Sequence, residues 1–394
     1  MESTKSAALC EYTVFIRRIF FLSGLYYQHE NATARSVHRI FAYLLLFGCY
    51  YITTYILCHI IYYLKFSAIY ASYVIILAWQ IQSCIAMTFF IRWQDTGVLK
   101  EISEHLKNGS ISILKVARKI TVASTLFLVS CIALTVGVTV MIRLTGREGT
   151  FFNIQTVNAF IHPKLSPFML FFGAFMSAAY IMVISIVAGQ ALFMVAELRQ
   201  LNKSLQQVGY DTMNDETLET TLRTHFERHL VISSRIRYLS ETFSKFGLAM
   251  FITNIPLLTF TFFTLFVRAR VKFLDALLTS PEVILGFVKI IYLLYIPSKI
   301  QTEASKTYVN LCSNPRLWQK LNRRVYELAS IFIAHANQND LGMQIFGMTT
   351  ISKPFLLTGA SVITTALTFL IQSKFPCLAK YNATANSTSF MSNH

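Results

Sequence analysis

Seven stretches of this chain are long and apolar enough to leave water for lipid: residues 41–64, 69–91, 120–142, 168–195, 246–267, 282–298 and 355–372. A helix needs about 20 such residues to cross the hydrocarbon core, and only helices or closed barrels satisfy their own backbone groups there. The sequence therefore predicts an all-α membrane protein with seven transmembrane helices. Two runs are short. The sixth closes at Pro297 and the seventh opens at Pro354, where a proline at a helix start removes no needed hydrogen bond. Composition agrees, with 54% hydrophobic residues, 14% charged residues and a mean hydropathy of +0.50, values foreign to a water-soluble surface.

Lysines and arginines orient the runs, because translocating cations is costly and cytoplasmic loops keep them. Of the 35, 25 lie in residues 1–40 and in the second, fourth and sixth loops, against 9 on the opposite face; Lys289 sits inside the sixth run. This distribution places the N-terminus in the cytoplasm and the C-terminus outside. The tail agrees: it carries two glycosylation sequons, headed by Asn382 and Asn386, which are usable only on the lumenal or extracellular side. Asn31, Asn108 and Asn202 head sequons on the expected cytoplasmic side. The net charge of +16 is spread between apolar runs and forms no single basic stripe, which argues against a nucleic-acid partner. Seven cysteines imply no disulfide framework. Cys49, Cys58, Cys84 and Cys131 fall within apolar runs and read as small hydrophobes. The patch Ile19–Leu25 has no small-residue cleavage site after it, so no cleaved signal peptide is expected.

The organisation that follows is a cytoplasmic segment 1–40, six membrane helices within 41–298, cytoplasmic helices over 299–353, a last membrane helix 354–372 and an extracellular tail 373–394. The fourth loop, 196–245, and the sixth show helical periodicity and are expected to extend out of the membrane. Their apolar stripes are Leu230, Ile232, Ile236, Leu239 and Phe243 in one, and Leu321, Val325, Leu328 and Ile331 in the other. Such helices need partners: each other, a neighbouring subunit or the membrane surface. No internal repeat supports an inverted-repeat transporter.

Chemistry-bearing motifs are sparse. There is no Gly-rich phosphate loop, nucleophile elbow or Cys-x-x-Cys pair, so neither enzyme nor cofactor chemistry is expected. His225 and His229 share a helix face but lack a third ligand, so no metal is expected and a solvated face is the simpler reading. Lys289 is a cation within a span, hence either part of a ligand or ion path, or a long stem snorkelling to the outer interface. Aromatic residues gather in the outer halves of the spans: Tyr70, Tyr73, Trp79, Phe171, Phe172, Tyr180, Phe260, Phe263 and Tyr292. Most suit lipid-facing packing. Trp79, Tyr180 and Tyr292, with Lys289 and with Gln80 or Gln82, are the candidates for an outward-opening ligand pocket. In the seventh run Thr358, Ser361, Thr365, Thr368 and Gln372 recur at spacings of 3 and 4, one polar seam along an apolar helix. The seam serves either as hydrogen-bonding glue between helices or as the lining of a wet path where copies meet at a symmetry axis.

The seventh run resembles the insect gustatory receptors, within the invertebrate gustatory and odorant receptor superfamily. Their hallmark is Thr-Tyr, five mostly hydrophobic residues, then Gln-Phe; Thr365 to Ser373 keeps the spacing with Thr365 and Gln372, and departs at Ala366 and Ser373. Gln344 to Gly347 and Ser352 to Leu357 also look like that family's approach to its last helix. The resemblance implies a tetrameric, ligand-gated, non-selective cation channel of the sensory-neuron plasma membrane, opened by small tastants. Its last helices surround the pore, its cytoplasmic helices form an anchor, and its ligand pocket lies in the outer half of the other spans. Gln372 then takes the pore-gate position and Ser373 that of the adjacent gate Phe. A hydroxymethyl closes a hydrophobic constriction less well than a phenyl ring, so Phe369 or Leu370 moves into the gate, or a partner subunit of a homo- or hetero-tetramer supplies it. The rivals are a metabotropic seven-helix receptor and a small-molecule transporter. The cytoplasmic N-terminus and the missing Asp-Arg-Tyr and Asn-Pro-x-x-Tyr motifs argue against a G-protein-coupled receptor.

Overall fold

A computed structural model describes residues 32–62, 68–107, 166–208, 215–271, 283–318, 323–337 and 341–391, except 285, 346 and 348, together with positions 119, 123 and 126. The third run thus falls almost wholly outside the described residues. Most of the described residues are helical: α1 Ala32–Tyr62, α2 Ala68–Asp95, α3 Val98–Lys107, α4 Ser166–Gln207, α5 Asp215–Val271, α6 Ile296–Cys312, α7 Arg323–Ala336 and α8 Lys353–Met391. Among the described residues, five helices are long and apolar enough to cross a membrane, namely α1, α2, α4, α5 and α8.

The loop-four helices are continuations of the membrane helices. At 1.5 Å per residue the 57 residues of α5 span about 85 Å, far more than the ~30 Å hydrocarbon core, so about two thirds of α5 stands outside it. The extension of α4 packs along α5 and α6, and α7 closes the bundle against α5. Ile232, Ile236, Leu239 and Phe243 are buried, as their spacing predicts. Two stripe residues are corrected. Leu230 is exposed, because the inward register passes through His229, which has no solvent exposure. In α7 the buried stripe is Val325, Ala329, Phe332 and Ala336, with Ile331 turned outward; a steady 4-3-4 spacing holds one face, whereas steps of 3 drift off it.

Polar groups fasten this bundle. Asn202 of α4 is buried, donates to the Glu303 carbonyl at 2.9 Å and accepts from the Thr307 hydroxyl at 2.7 Å, which leaves no room for a glycan at that sequon. Glu303 accepts from Arg199 at 2.9 Å and Lys306 at 3.1 Å. Burial favours the neutral acid, but these two cations outweigh it and hold the carboxyl below the usual range.

Pro297 does not end the sixth helix. A π-helical turn, Ile291–Tyr295, leads directly into α6, with the Ile296 N–H bonded to the Ile291 carbonyl. The widened turn resets the hydrogen-bond register just where proline can give no N–H, so the chain passes through Pro297 and stays helical to Cys312. Pro354 does mark a start. It follows Lys353 at the head of α8, where the Ser352 hydroxyl accepts from the Phe355 N–H.

Helices do not fill the whole of 299–353. A two-residue hairpin pairs β1 Gln344–Ile345 with β2 Thr349–Thr350, turning at Gly347, whose φ of +71° favours glycine. The hairpin is tied to α5 by the Gln344 N–H donating to Ser240 Oγ. The seventh helix also outruns its apolar stretch, since α8 continues to Met391 and carries Asn382 and Asn386 on helical backbone.

Candidate ligand site and pore helix

Four helical segments converge on Lys289. Trp79 and Gln82 lie three residues apart on α2, hence on one face; Tyr180 comes from α4, Asn254 from α5 and Lys289 from the helical stretch 286–290. Lys289 does not snorkel. It is 3% exposed, with Nζ 2.9 Å from the centre of the Trp79 ring and 4.7 Å from that of Tyr180. The two rings meet edge to face at 6.0 Å. A desolvated ammonium over such faces gains up to ~2 kcal/mol, which the interface would not return once the stem is packed.

A directed relay completes the cluster. Lys289 Nζ donates to Gln82 Oε1 at 3.1 Å, Gln82 Nε2 donates to Asn254 Oδ1 at 3.1 Å, and Asn254 Nδ2 donates to the Met250 carbonyl at 2.8 Å. Each amide turns its acceptor toward the cation and its donor away, the polarisation that a buried positive charge imposes. The Tyr180 hydroxyl, by contrast, is buried with no hydrogen-bond partner among the described residues.

The structure therefore joins Trp79, Tyr180 and Lys289, and takes Gln82 rather than Gln80. Gln80 is half-buried, two residues away and so on a different face, with its amide oxygen enclosed and unbonded among the described residues. Tyr292 sits in the π-helical turn, part-buried against the main core. Asn254 escaped the sequence reading, although a lone Asn within the apolar run 246–267 is itself a signal of a paired intramembrane group. The side chains of Tyr70, Tyr73, Phe171 and Phe172 lie outside the described residues, whereas Phe263 is buried and Phe260 half-buried in packing contacts.

The last helix has the opposite character. Only 6% of the apolar window of α8 is buried, against 78% for α4 at the centre of the bundle. Where α8 does touch the protein it meets the π-helical turn and, chiefly, α5, through Phe355 on Phe251 at 4.9 Å and through Gly359, where an added Cβ would lie 3.4 Å from Phe251. Thr358, Ser361, Thr365, Thr368, Phe369 and Gln372 are all exposed. The threonine hydroxyls donate back to carbonyls four residues earlier: Thr358 to Pro354, Thr365 to Ser361 and Thr368 to Thr364. This quenches their donors and leaves a mildly polar stripe. Ser373 continues the same helix.

His229 does not lie on a solvated face, since it is wholly buried. Among the described residues no group of three or more His, Cys, Asp or Glu stands ready for a metal. Its ring lies 5.2 Å from those of His335 and Phe332, between α5 and α7. Burial, with the His335 charge adding to it, lowers its pKa to about 4.

A bundle of apolar helices carrying long helical extensions, with one last helix left uncovered, matches a family model described as 7tm Chemosensory receptor over residues 117–375. The chain belongs to that family. The match begins at the third apolar run and ends two residues beyond Ser373, so it takes in the whole α8 seam. Among solved structures this chemosensory receptor is similar to the insect olfactory receptor OR5 from Machilis hrabei. The TM-score is 0.66 at 16% sequence identity, covering 92% of this chain and 100% of that one. A likeness at that identity shows the fold, and the fold is that of a seven-helix insect receptor. No curated protein matches the receptor in sequence. Of the Lys289 cluster, Tyr180, Asn254 and Lys289 lie within the matched residues, and Trp79 and Gln82 precede them.

Proposed function

We propose that this chemosensory receptor is a gustatory-type, ligand-gated, non-selective cation channel. The N-terminus lies in the cytoplasm, the C-terminus outside, and four copies, identical or mixed with other gustatory receptors, surround one pore. A small tastant binds at the Lys289 cluster and favours the open arrangement of the α8 helices. The observation that carries this reading is the exposure of α8: a helix apolar enough to span lipid, with a polar seam on one side, uncovered in the single subunit. Lipid is a poor neighbour for the Gln372 amide, and a closed ring of copies would turn the seam onto a shared wet axis.

In this arrangement Ser361, Thr365 and Thr368 line the path, Gln372 and Ser373 stand at the gate, and Phe369 supplies the hydrophobic closure that Ser373 lacks. Residues 299–353, with the extensions of α4 and α5, anchor the subunits, and the hairpin at Gly347 links that anchor to the start of α8. Asn382 and Asn386 take glycans outside the plasma membrane of a chemosensory cell. The gustatory assignment rests on the Thr365-to-Gln372 spacing.

Whole-cell recording from cells expressing the receptor, under G-protein blockade and with a broad tastant panel, tests the proposal. Ligand-evoked cation currents whose conductance changes in Gln372→Ala are expected. Currents abolished by the blockade, or identical in Gln372→Ala, would refute a pore-lining α8.

A further inference from the structure

Another face of α2, two residues on from Gln82, carries sulfur. Cys84 and Met87, three residues apart and so on one side of the helix, meet Cys49 of α1 within the spanning part of both helices. The Cys49 thiol donates to Met87 Sδ at 3.4 Å, and Cys84 lies within hydrogen-bonding reach of Cys49. All three side chains are buried, and both cysteines are free thiols. We propose that these three sulfurs form a binding site for a soft monovalent metal ion, Cu(I), which clamps α1 to α2.

The donor set selects the ion. Thiol and thioether sulfur together favour Cu(I) over the hard cations that take oxygen. Structural zinc takes four ligands, and among the described residues no group of three His, Cys, Asp or Glu gathers to supply them. Charge points the same way. The Cys49 proton, on its way to Met87, leaves for water and one Cu(I) takes its place, so a lipid-enclosed site neither gains nor loses charge. Cys84 and Met87 coordinate as neutral donors. With metal–sulfur bonds of about 2.3 Å, two ligands of a trigonal ion stand about 4 Å apart, so Cys49 and Met87 have to part by only about 0.6 Å.

Neighbouring hydroxyls hold the sulfurs in place. Thr53, one turn after Cys49, donates its one hydroxyl proton to the Cys49 carbonyl at 2.8 Å, so in its 3.2 Å contact with Cys84 Sγ the thiol is the donor. That bond fixes the Cys84 rotamer and leaves the sulfur lone pairs for a metal. One turn further along α2, the Thr88 hydroxyl meets that of Tyr50 at 2.9 Å, which ties the same two helices without metal. The clamp matters most for α1, which packs chiefly on α2 and has only 24% of its apolar window buried.

The test titrates the whole purified chain in detergent with Cu(I), under argon and ascorbate, in competition with the coloured chelator bicinchoninate. Wild type is expected to withdraw one equivalent more than Cys49→Ser or Cys84→Ser. That equivalent should raise the Tm of wild type and leave the Tm of both serine variants unchanged. Met87→Leu keeps the apolar volume but loses a ligand and should weaken the equivalent by at least about 10-fold; Thr53→Val, which removes only the supporting hydroxyl, should weaken it about 10-fold. X-ray absorption of wild type carrying one equivalent, which needs no variant, should show sulfur alone around copper. Copper kept equally by both serine variants, a shell containing nitrogen or oxygen, or no copper withdrawn at all overturns the site. So does the loss of two free thiols with no copper retained, which would make Cys49 and Cys84 a disulfide-forming pair instead.

Discussion

Gln82→Leu is the sharpest perturbation of the buried relay, because one side chain serves two bonds between three helices. It deletes the acceptor of Lys289 and the donor to Asn254. The first bond, to a charged group, is worth about 1.5–3 kcal/mol and the second, an amide pair between membrane helices, about 0.6–1.7 kcal/mol, so the variant should lose roughly 2–5 kcal/mol. Lys289→Met keeps the apolar stem, removes the cation and leaves Gln82 Oε1 buried without its donor, a cost of about 1–3 kcal/mol. In the double variant the Lys289–Gln82 bond can be lost only once. Its destabilisation should therefore fall short of the sum of the single effects by about 1.5–3 kcal/mol. Thermal melts of the four detergent-solubilised proteins, followed by fluorescence-detected gel filtration at one pH, would read this as a double variant no less stable than Gln82→Leu. Tm losses that simply add would show that the two side chains do not share a bond and would dissolve the cluster.

Three further outcomes follow. His229 is buried with its folded pKa near 4, below the free value of 6.5, so the unfolded chain binds the extra proton first. Stability is complete above about pH 6.5 and declines toward pH 4 by up to ~3 kcal/mol; His229→Leu should flatten a melting-temperature profile across that window, and a profile as steep as wild type would refute the assignment. Asn202→Ala removes the side-chain bonds to Glu303 and Thr307 and should cost about 1–3 kcal/mol, read as a lower Tm with no change in glycan mass; an unchanged Tm would show that the α4–α6 contact does not depend on them. Ser373→Phe restores a bulky apolar group at the proposed gate and should reduce unliganded current, whereas an equal or larger resting current would count against Ser373 as the weak point of closure.

Much of the fold was legible because membrane insertion is decided locally. The apolar runs recur in α1, α2, α4, α5 and α8, and the periodicity of loop four correctly buried Ile232, Ile236, Leu239 and Phe243. Where the pattern was ambiguous, register decided: Leu230 lost its place to His229, and Ile331 to Phe332. Pro297 misled as a stop because a proline breaks a helix only if its missing N–H is required, and the π-helical turn before it removed that requirement. The hairpin at Gly347 was invisible because two residues per strand carry no detectable alternation.

The candidate site divides the same way. Lys289, Trp79 and Tyr180 stood out individually, as a cation and large aromatics inside apolar runs. Whether Lys289 reached for the interface or turned inward was not written in its own span, nor was the choice of Gln82 over Gln80, nor the partnership with Asn254. Transfer to lipid is a near-additive sum over neighbouring residues, so the sequence by itself determined the spans and the polar seam of the last one. The cluster depends on how four helices, with bonded partners 172 and 207 residues apart in the chain, rotate against one another. That rotation is set by packing of the whole bundle, and only the tertiary structure decided it.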